Sequence, residues 1–153
     1  MITLDELMQQ LDNKSRLIGI DMGTKRIGIS ICDENRKIAT PFETINYENM
    51  SKLASRLNEI IFENNIKGII VGLPLNMDGT EGSSVQSVKD KFKSIKNKII
   101  IPYAFWDERL STVGSFKISS QLDINVSKKM KDIDKNSATF ILQGAIDYLK
   151  NKT

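Results

Sequence analysis

Three separated parts of the sequence carry an acidic residue at a position where an ionised side chain is costly to place. Asp21 lies inside the strand-like run "RLIGIDMG", and Asp107 and Glu108 directly follow the apolar run "IIIPYAFW". Asp134 begins a helical stripe that is otherwise apolar, spaced i, i+4, i+7, i+11, i+14. Two carboxylates about 4 Å apart repel by roughly 4 kcal/mol at an effective dielectric near 20. A divalent cation reverses that penalty, so convergence of these acids would predict a metal site.

Each acid also has a local explanation that the sequence leaves open. Asp21 could lie at the fraying end of a strand and cap the "GTKR" turn. Asp107 and Glu108 could serve a helix N-terminus, where the helix dipole favours acids. Asp134 could be an acid of a first helical turn, although Asp132 is better placed as the cap. Convergence is therefore a hypothesis that the positions permit.

The composition restricts the chemistry to carboxylates. The chain has no histidine and one cysteine, Cys32, which excludes a Ser-His-Asp triad, a Cys-His pair and a histidine-ligated zinc site. Carboxylate oxygens suit hard ions such as Mg²⁺ or Mn²⁺. Two such ions can clamp a scissile phosphate, activate water on one side and stabilise the leaving oxygen on the other.

Hydrophobic periodicity predicts the order β-β-β-α-β-α-β-α after a short N-terminal helix capped by Thr3. Three strands with short links form an antiparallel meander, and the later strands are joined by helical crossovers. The pattern indicates an α/β fold with a mixed sheet and helices on both faces. The predicted strands are 17–22, 27–32, 37–45, 68–75 and 98–106, and the predicted helices are 3–11, 48–64, a helix ending near 95, a short helix within 107–122, and 133–149.

Basic residues lie near each of these acids. Lys25, Arg26 and Arg109 are close in sequence to Asp21 and Glu108. Three more cations precede Asp134 in the polar stretch "DINVSKKMKD", which we expect to be a mobile loop: Lys128, Lys129 and Lys131. A polyanion attracted to an acidic centre needs such compensating charge. The lysines at 89, 91, 93, 96 and 98 fit a solvated helix face better, and "GLPLNMDGTEG" is either a connecting loop or a backbone-lined phosphate contact.

The length of 153 residues favours a single domain that spans residues 1–153. The N-terminus lacks the features of a signal peptide and no run is apolar enough to span a bilayer. A single cysteine fits a reducing compartment, so we expect a cytoplasmic protein with no membrane partner. The net charge of +3 is too small to identify a nucleic-acid partner by itself.

Four segments in order resemble the YqgF/RuvX family of the ribonuclease-H-like superfold. They are "IGIDMGTKRIGISICD", "IIVGLPLNMDGTEG", "FWDERLST" and "DKNSATFILQGAIDYL". The resemblance implies a five-stranded sheet, three antiparallel strands followed by two parallel ones, with helices on both faces. It also implies metal-dependent phosphodiester cleavage by Asp21, Glu108 and Asp134, with the adjacent Asp107 as a further candidate ligand.

Family resemblance further implies a nuclease that processes the 5′ end of precursor 16S ribosomal RNA, or alternatively a resolvase of four-way DNA junctions. A resolvase requires a symmetric dimer, whereas an RNA processor could act as a monomer or weak homodimer. Two other classes rank lower. One is a non-catalytic RNA-binding assembly factor, and the other is an ATP-binding protein, because "DMGT" resembles the phosphate loop of the actin and sugar-kinase superfamily.

Overall fold

The structure is a computed structural model, and it describes residues 2–12, 14–74, 78–107 and 126–151, with the backbone alone over 126–136. Five strands form one mixed sheet in the order β3-β2-β1-β4-β5. The first three pair antiparallel, while β4 pairs parallel with both β1 and β5. The elements in chain order are α1 (Leu4–Gln9), β1 (Arg16–Met22), β2 (Arg26–Cys32), β3 (Ala39–Asn46), α2 (Met50–Glu63), β4 (Ile66–Leu73), α3 (Ser83–Ser94), β5 (Tyr103–Asp107) and α4 (Val126–Asn151).

The predicted mixed sheet with helices on both faces is confirmed. On one face, α2 and α3 bury residues such as Leu57 and Phe92 against Ile18, Ile20 and Ile69. The other face is covered by α1 and α4, whose buried residues include Leu7, Ile141 and Leu142, packed with Leu17 and Ile70. Because successive strand residues point to opposite faces, Ile18 and Ile20 of β1 belong to one layer and Leu17 to the other.

Local capping explains where two of the helices begin. The Thr3 hydroxyl accepts a hydrogen bond from the Glu6 amide at 3.1 Å, as the sequence predicts. The Asn49 side chain accepts one from the Lys52 amide at 2.9 Å. Such caps satisfy amides that have no partner within the helix.

The hairpin between β1 and β2 is tight and turns at Gly23. The Gly23 amide donates to the Arg26 carbonyl at 3.0 Å. A Cβ at Gly23 would lie 2.4 Å from that carbonyl oxygen. Close approach of the two strands, rather than a left-handed backbone, therefore requires glycine here.

Two predicted boundaries are wrong. The last helix begins at Val126 rather than near Ile133, so residues 126–132 are helical and not a loop. The apolar residues among the lysines, Val126, Met130 and Ile133, have the i, i+4, i+7 spacing of a helix. Strand β5 begins at Tyr103 rather than Lys98, and Ile100 is 97% exposed. Pro102, which has no amide hydrogen to donate, precedes the strand. The short helix predicted within 107–122 and the loop residues 123–125 lie outside the described residues, apart from Asp107.

Helix α4 packs closely against the sheet at Gly19. A Cβ there would lie 2.6 Å from Ser30 Oγ, 2.7 Å from Leu142 Cβ and 2.9 Å from the Ala138 carbonyl oxygen. The buried Ser30 hydroxyl donates to that same carbonyl at 2.8 Å. This contact joins the middle of β1 and β2 to the middle of α4.

We expect Gly19→Ala to lower the free energy of unfolding by about 1–3 kcal/mol, because overpacking must displace a helix backbone. Gly68→Ala is the matched control. Its Cβ would meet the ends of the Leu17 and Leu7 side chains at 2.8 and 3.0 Å, and these ends can move. Urea denaturation of both variants measures the difference, and an equal loss at the two positions would contradict this account of Gly19.

Candidate functional site

The carboxyl ends of β1, β4 and β5 meet at one edge of the sheet. The parallel register aligns Ile20 with Val71, and Leu73 with Asp107. Asp21 is the next-to-last residue of β1, and Asp107 is the last residue of β5. Ligands of open α/β sheets bind outside the carboxyl ends of strands, so this edge is the candidate site.

Alternation along the strands places Asp21 and Asp107 on opposite faces. Asp21 shares the face of Leu17 and Gly19, which α4 covers. Tyr103 and Phe105 pack against the α2–α3 layer, and Asp107 continues that series. One strand, β4, also separates β1 from β5, so the two backbones are about 10 Å apart. Asp107 and Asp21 are therefore poorly arranged to share one ion.

The orientation of α4 relates Asp134 to Asp21. Ala138 contacts β1 at Gly19, whereas Ile146 and Leu149 line a small cavity with Arg36. Arg36 donates to the carbonyl of Ser15, which directly precedes β1, at 2.8 Å. Helix α4 therefore runs opposite to β1, and residues before Ala138 lie toward the carboxyl edge.

The spacing along these two elements is nearly the same. The backbone of Asp134 lies one helical turn, about 6 Å, before Ala138. Asp21 lies two strand residues, about 7 Å, beyond Gly19 in the same direction. The N-terminal half of α4 and the end of β1 thus bring the backbones of the two acids to one end and one face of the sheet.

The other predicted site residues are described only in part or not at all. Glu108 and Arg109 lie outside the described residues. Lys128, Lys129 and Lys131 lie in α4, where the structure describes backbone alone. Among the described side chains, no group of three or more potential metal ligands is found. The metal-binding set thus remains a prediction.

Cations of the β1–β2 hairpin lie next to the edge. Lys25 and Arg26 directly follow Gly23 and Thr24, and both are exposed. An open cleft is lined by these four residues and by Asn46 of β3. The hairpin therefore places two positive side chains within five residues of Asp21.

Sequence reasoning missed two residues that position this site. Gly19 and Ser30 fix the position of α4 on the sheet. In the sequence, both look like ordinary small residues that alternate with isoleucines along a strand. The Ser30–Ala138 bond joins residues separated by 108 positions. A buried serine among isoleucines was the available signal, but its partner could not be identified from local sequence.

The described helices include none that is long and apolar enough to cross a membrane.

The sheet order and the two helical layers define a ribonuclease-H-like fold. The structure of Thermus thermophilus RuvC in complex with a Holliday junction substrate is similar, with a TM-score of 0.58 and 12% identity, over 91% of this chain and 97% of that chain. A second structure of Thermus thermophilus RuvC gives a TM-score of 0.53 at 11% identity, over 90% and 97% of the two chains. These similarities concern the fold.

Sequence comparison identifies the family. The family model described as "RuvX: Holliday junction resolvase" matches residues 15–148. A protein of Pelagibacter ubique named "Putative pre-16S rRNA nuclease" is 58% identical over 99% of this chain and 100% of its own length. A Methylocella silvestris protein of the same name is 39% identical over 98% of this chain and 93% of its own. This chain belongs to the RuvX family.

The opposite faces of Asp21 and Asp107 predict different effects on metal binding. We expect Mn²⁺ to raise the melting temperature of the wild-type protein, because a ligand that binds only the folded state stabilises it. Asp21→Asn should abolish that increase, and Asp107→Asn should retain it. Thermal unfolding with and without Mn²⁺ measures the increase for each variant, so any intrinsic effect of the substitution cancels. If Mn²⁺ still raised the melting temperature of Asp21→Asn but not that of Asp107→Asn, Asp107 and not Asp21 would be the metal ligand.

Proposed function

We propose that this protein is a divalent-metal-dependent nuclease that processes the 5′ end of precursor 16S ribosomal RNA. The observation that carries the proposal is the placement of Asp21 near the carboxyl end of β1, beneath the helix that carries Asp134. The names of the curated relatives supply the substrate. Such a role would place the protein in the cytoplasm, as a monomer or weak homodimer.

The available donors fit Mg²⁺ or Mn²⁺ rather than a softer metal. The chain has no histidine. The thiol of Cys32 is buried, its sulfur accepts a hydrogen bond from the Leu17 amide at 3.2 Å, and burial raises its pKa. A thiol with a raised pKa is a poor source of the thiolate that zinc prefers. Carboxylate oxygens are therefore the appropriate donors, and hard divalent cations bind them.

We assign Asp21, Glu108 and Asp134 as the metal ligands, in preference to a set that contains Asp107. Asp21 and the backbone of Asp134 are on the face covered by α4, whereas Asp107 is on the other face. Glu108 follows Asp107, and the family resemblance assigns its motif acid to that position. The chemistry that bound ions supply at such a site is activation of water and stabilisation of the leaving oxygen.

The protein's cations would hold the phosphates on either side of the scissile bond. Lys25 and Arg26 are exposed on the hairpin beside Asp21. Lys128, Lys129 and Lys131 precede Asp134 on α4, and Arg109 follows Glu108. Neutralising phosphates with such residues provides affinity that does not depend on the nucleotide sequence of the bound nucleic acid.

The family description favours resolution of four-way DNA junctions as a second candidate function. It needs the same acids and differs in how the nucleic acid is held. A resolvase must cut two opposed strands, and that demands a symmetric dimer. Substrate choice and oligomeric state therefore separate the two candidates.

The purified protein should cleave precursor 16S ribosomal RNA in Mg²⁺ or Mn²⁺ and leave a four-way DNA junction intact. We expect each of Asp21→Asn, Glu108→Gln and Asp134→Asn to reduce the cleavage rate by more than about 100-fold, since even outer-shell partners of metal ligands cost 10–100-fold. Gel analysis of time courses measures the rates. Asp147→Asn is the matched control, because Asp147 is an exposed acid near the other end of α4.

Full activity in all three variants would contradict the proposed site. Cleavage of the junction by a dimer, with the RNA left intact, would favour the resolvase. RNA binding without cleavage in either metal would favour a non-catalytic assembly factor. Tight ATP binding without nuclease activity would favour the nucleotide-binding class.

A further inference from the structure

A cleft of about 460 Å³ lies on the α3 side of the same sheet edge. Its floor includes Met22, the residue after Asp21, and one wall is the hairpin at Thr24. The opposite wall is α3, which contributes Ser83, Ser87 and Lys91 among others. The cleft thus begins one residue from the proposed metal ligand Asp21, on the other face of the sheet.

The α3 wall presents a polar stripe. Ser83, Ser87 and Lys91 are spaced i, i+4 and i+8, so they lie on one face of the helix. The stripe is about 12 Å long at the rise of an α-helix. A stripe of that length can contact more than one phosphate of a nucleic-acid backbone.

Lys91 differs from its neighbour Lys89. The Lys91 Nζ lies over the ring of Tyr47, 4.7 Å from the ring centroid, and the cation–π interaction holds the ammonium at the cleft while leaving its positive charge intact. Lys89 instead forms an ion pair with Glu81 and lies at a different surface, near Phe105. Lys91 is therefore the α3 lysine placed to bind an anion at this edge.

The charged residues that line this cleft and the neighbouring hairpin cleft have one sign. The cleft around Lys91 and the hairpin cleft with Lys25 and Arg26 share Gly23 and Thr24. Among the described residues that line the two clefts, three are cations and none is acidic. Hydroxyl groups of serine and threonine supply neutral hydrogen-bond donors between the cations. A continuous surface of this kind is complementary to a phosphate backbone.

We propose that this continuous cleft binds the sugar–phosphate backbone of single-stranded RNA that extends from the cleavage site, and that Lys91 contacts a phosphate there. The proposal rests on the proposed nuclease function. The RNA would cross the sheet edge from the face of Asp21 to the face of α3. Its binding along α3 would hold the substrate on one side of the scissile phosphate.

The test measures binding of a fluorescein-labelled single-stranded RNA oligonucleotide by fluorescence anisotropy, in Mg²⁺ and in an Asp21→Asn background that prevents cleavage. Lys91→Gln is compared with Lys93→Gln, which removes the charge of an exposed lysine of the same helix that lines neither cleft. One phosphate contact contributes about 0.7 to the slope of log affinity against log salt for single strands. Lys91→Gln should reduce the slope by that amount, and Lys93→Gln should leave it unchanged.

A fourfold rise in salt concentration should weaken RNA binding by both proteins. The fold-loss of affinity for Lys91→Gln should be about 2.6 times smaller than the fold-loss for its parent. Two variants of Tyr47 test the positioning of the ammonium. Tyr47→Phe retains a ring face and should preserve affinity, whereas Tyr47→Leu removes it and should weaken binding in the same direction as Lys91→Gln.

The outcomes separate this inference from the proposed function. An unchanged salt slope in Lys91→Gln, or an equal change in Lys93→Gln, would overturn the inference and leave the nuclease proposal standing. Failure of the background protein to bind RNA would overturn the inference as well. Continued cleavage by the Asp21→Asn background would instead contradict the proposed catalytic site.

Discussion

The close contact of α4 with β1 at Gly19 is the constraint on which the geometry of the candidate site depends. The position has no room for a methyl group, because Ser30, Leu142 and the Ala138 carbonyl surround it. The Ser30 hydroxyl is buried, and its bond to that carbonyl satisfies a donor that would otherwise be costly to bury. Steric fit and hydrogen bonding therefore select the same position of the helix on the sheet. A shift of α4 along β1 would lose both.

That fixed position has consequences at both ends of the helix. Toward its C-terminus, the Gln143 side chain accepts from the Ala39 amide at 2.8 Å and donates to the Lys37 carbonyl at 3.1 Å, which joins the helix to the start of β3. Toward its N-terminus, the helix extends over the carboxyl end of β1. Because a helix is rigid over a few turns, the contact at Ala138 also determines where the backbone of Asp134 lies. The two acids are far apart in sequence, and this packing relates them.

The sequence predicts much of the fold because its signals are local. Thr3 as a cap, the short hairpin after Met22, and the buried faces of α2 and α3 follow from turn chemistry and periodicity. The sequence does not predict the start of α4, because the apolar residues there are few and are separated by lysines. It does not predict the start of β5, because the apolar run begins several residues before the first residue that pairs in the sheet. The role of Gly19 depends on a helix more than 100 residues away. The placement of Lys91 over Tyr47 likewise depends on two elements that only the tertiary fold brings together.

The end of β1 also explains how an acidic centre could attract a polyanion. Asp21 and Met22 are consecutive, so their side chains are on opposite faces of the sheet, and the acid is separated from the cleft on the α3 side. The tight turn at Gly23 then keeps Lys25 and Arg26 near that end instead of on a long loop. At the end of β1, Asp21 is thus on the α4 face, whereas Lys25 and Arg26 lie at the hairpin and Lys91 lies on the α3 face. A nucleic-acid strand that crosses the edge would have phosphates near cations on the α3 side, while the scissile phosphate reaches the carboxylates. The separation matters because a cation placed directly against Asp21 would compete with a divalent ion for its oxygens, whereas a cation on the α3 side, such as Lys91, would bind the substrate without neutralising the site.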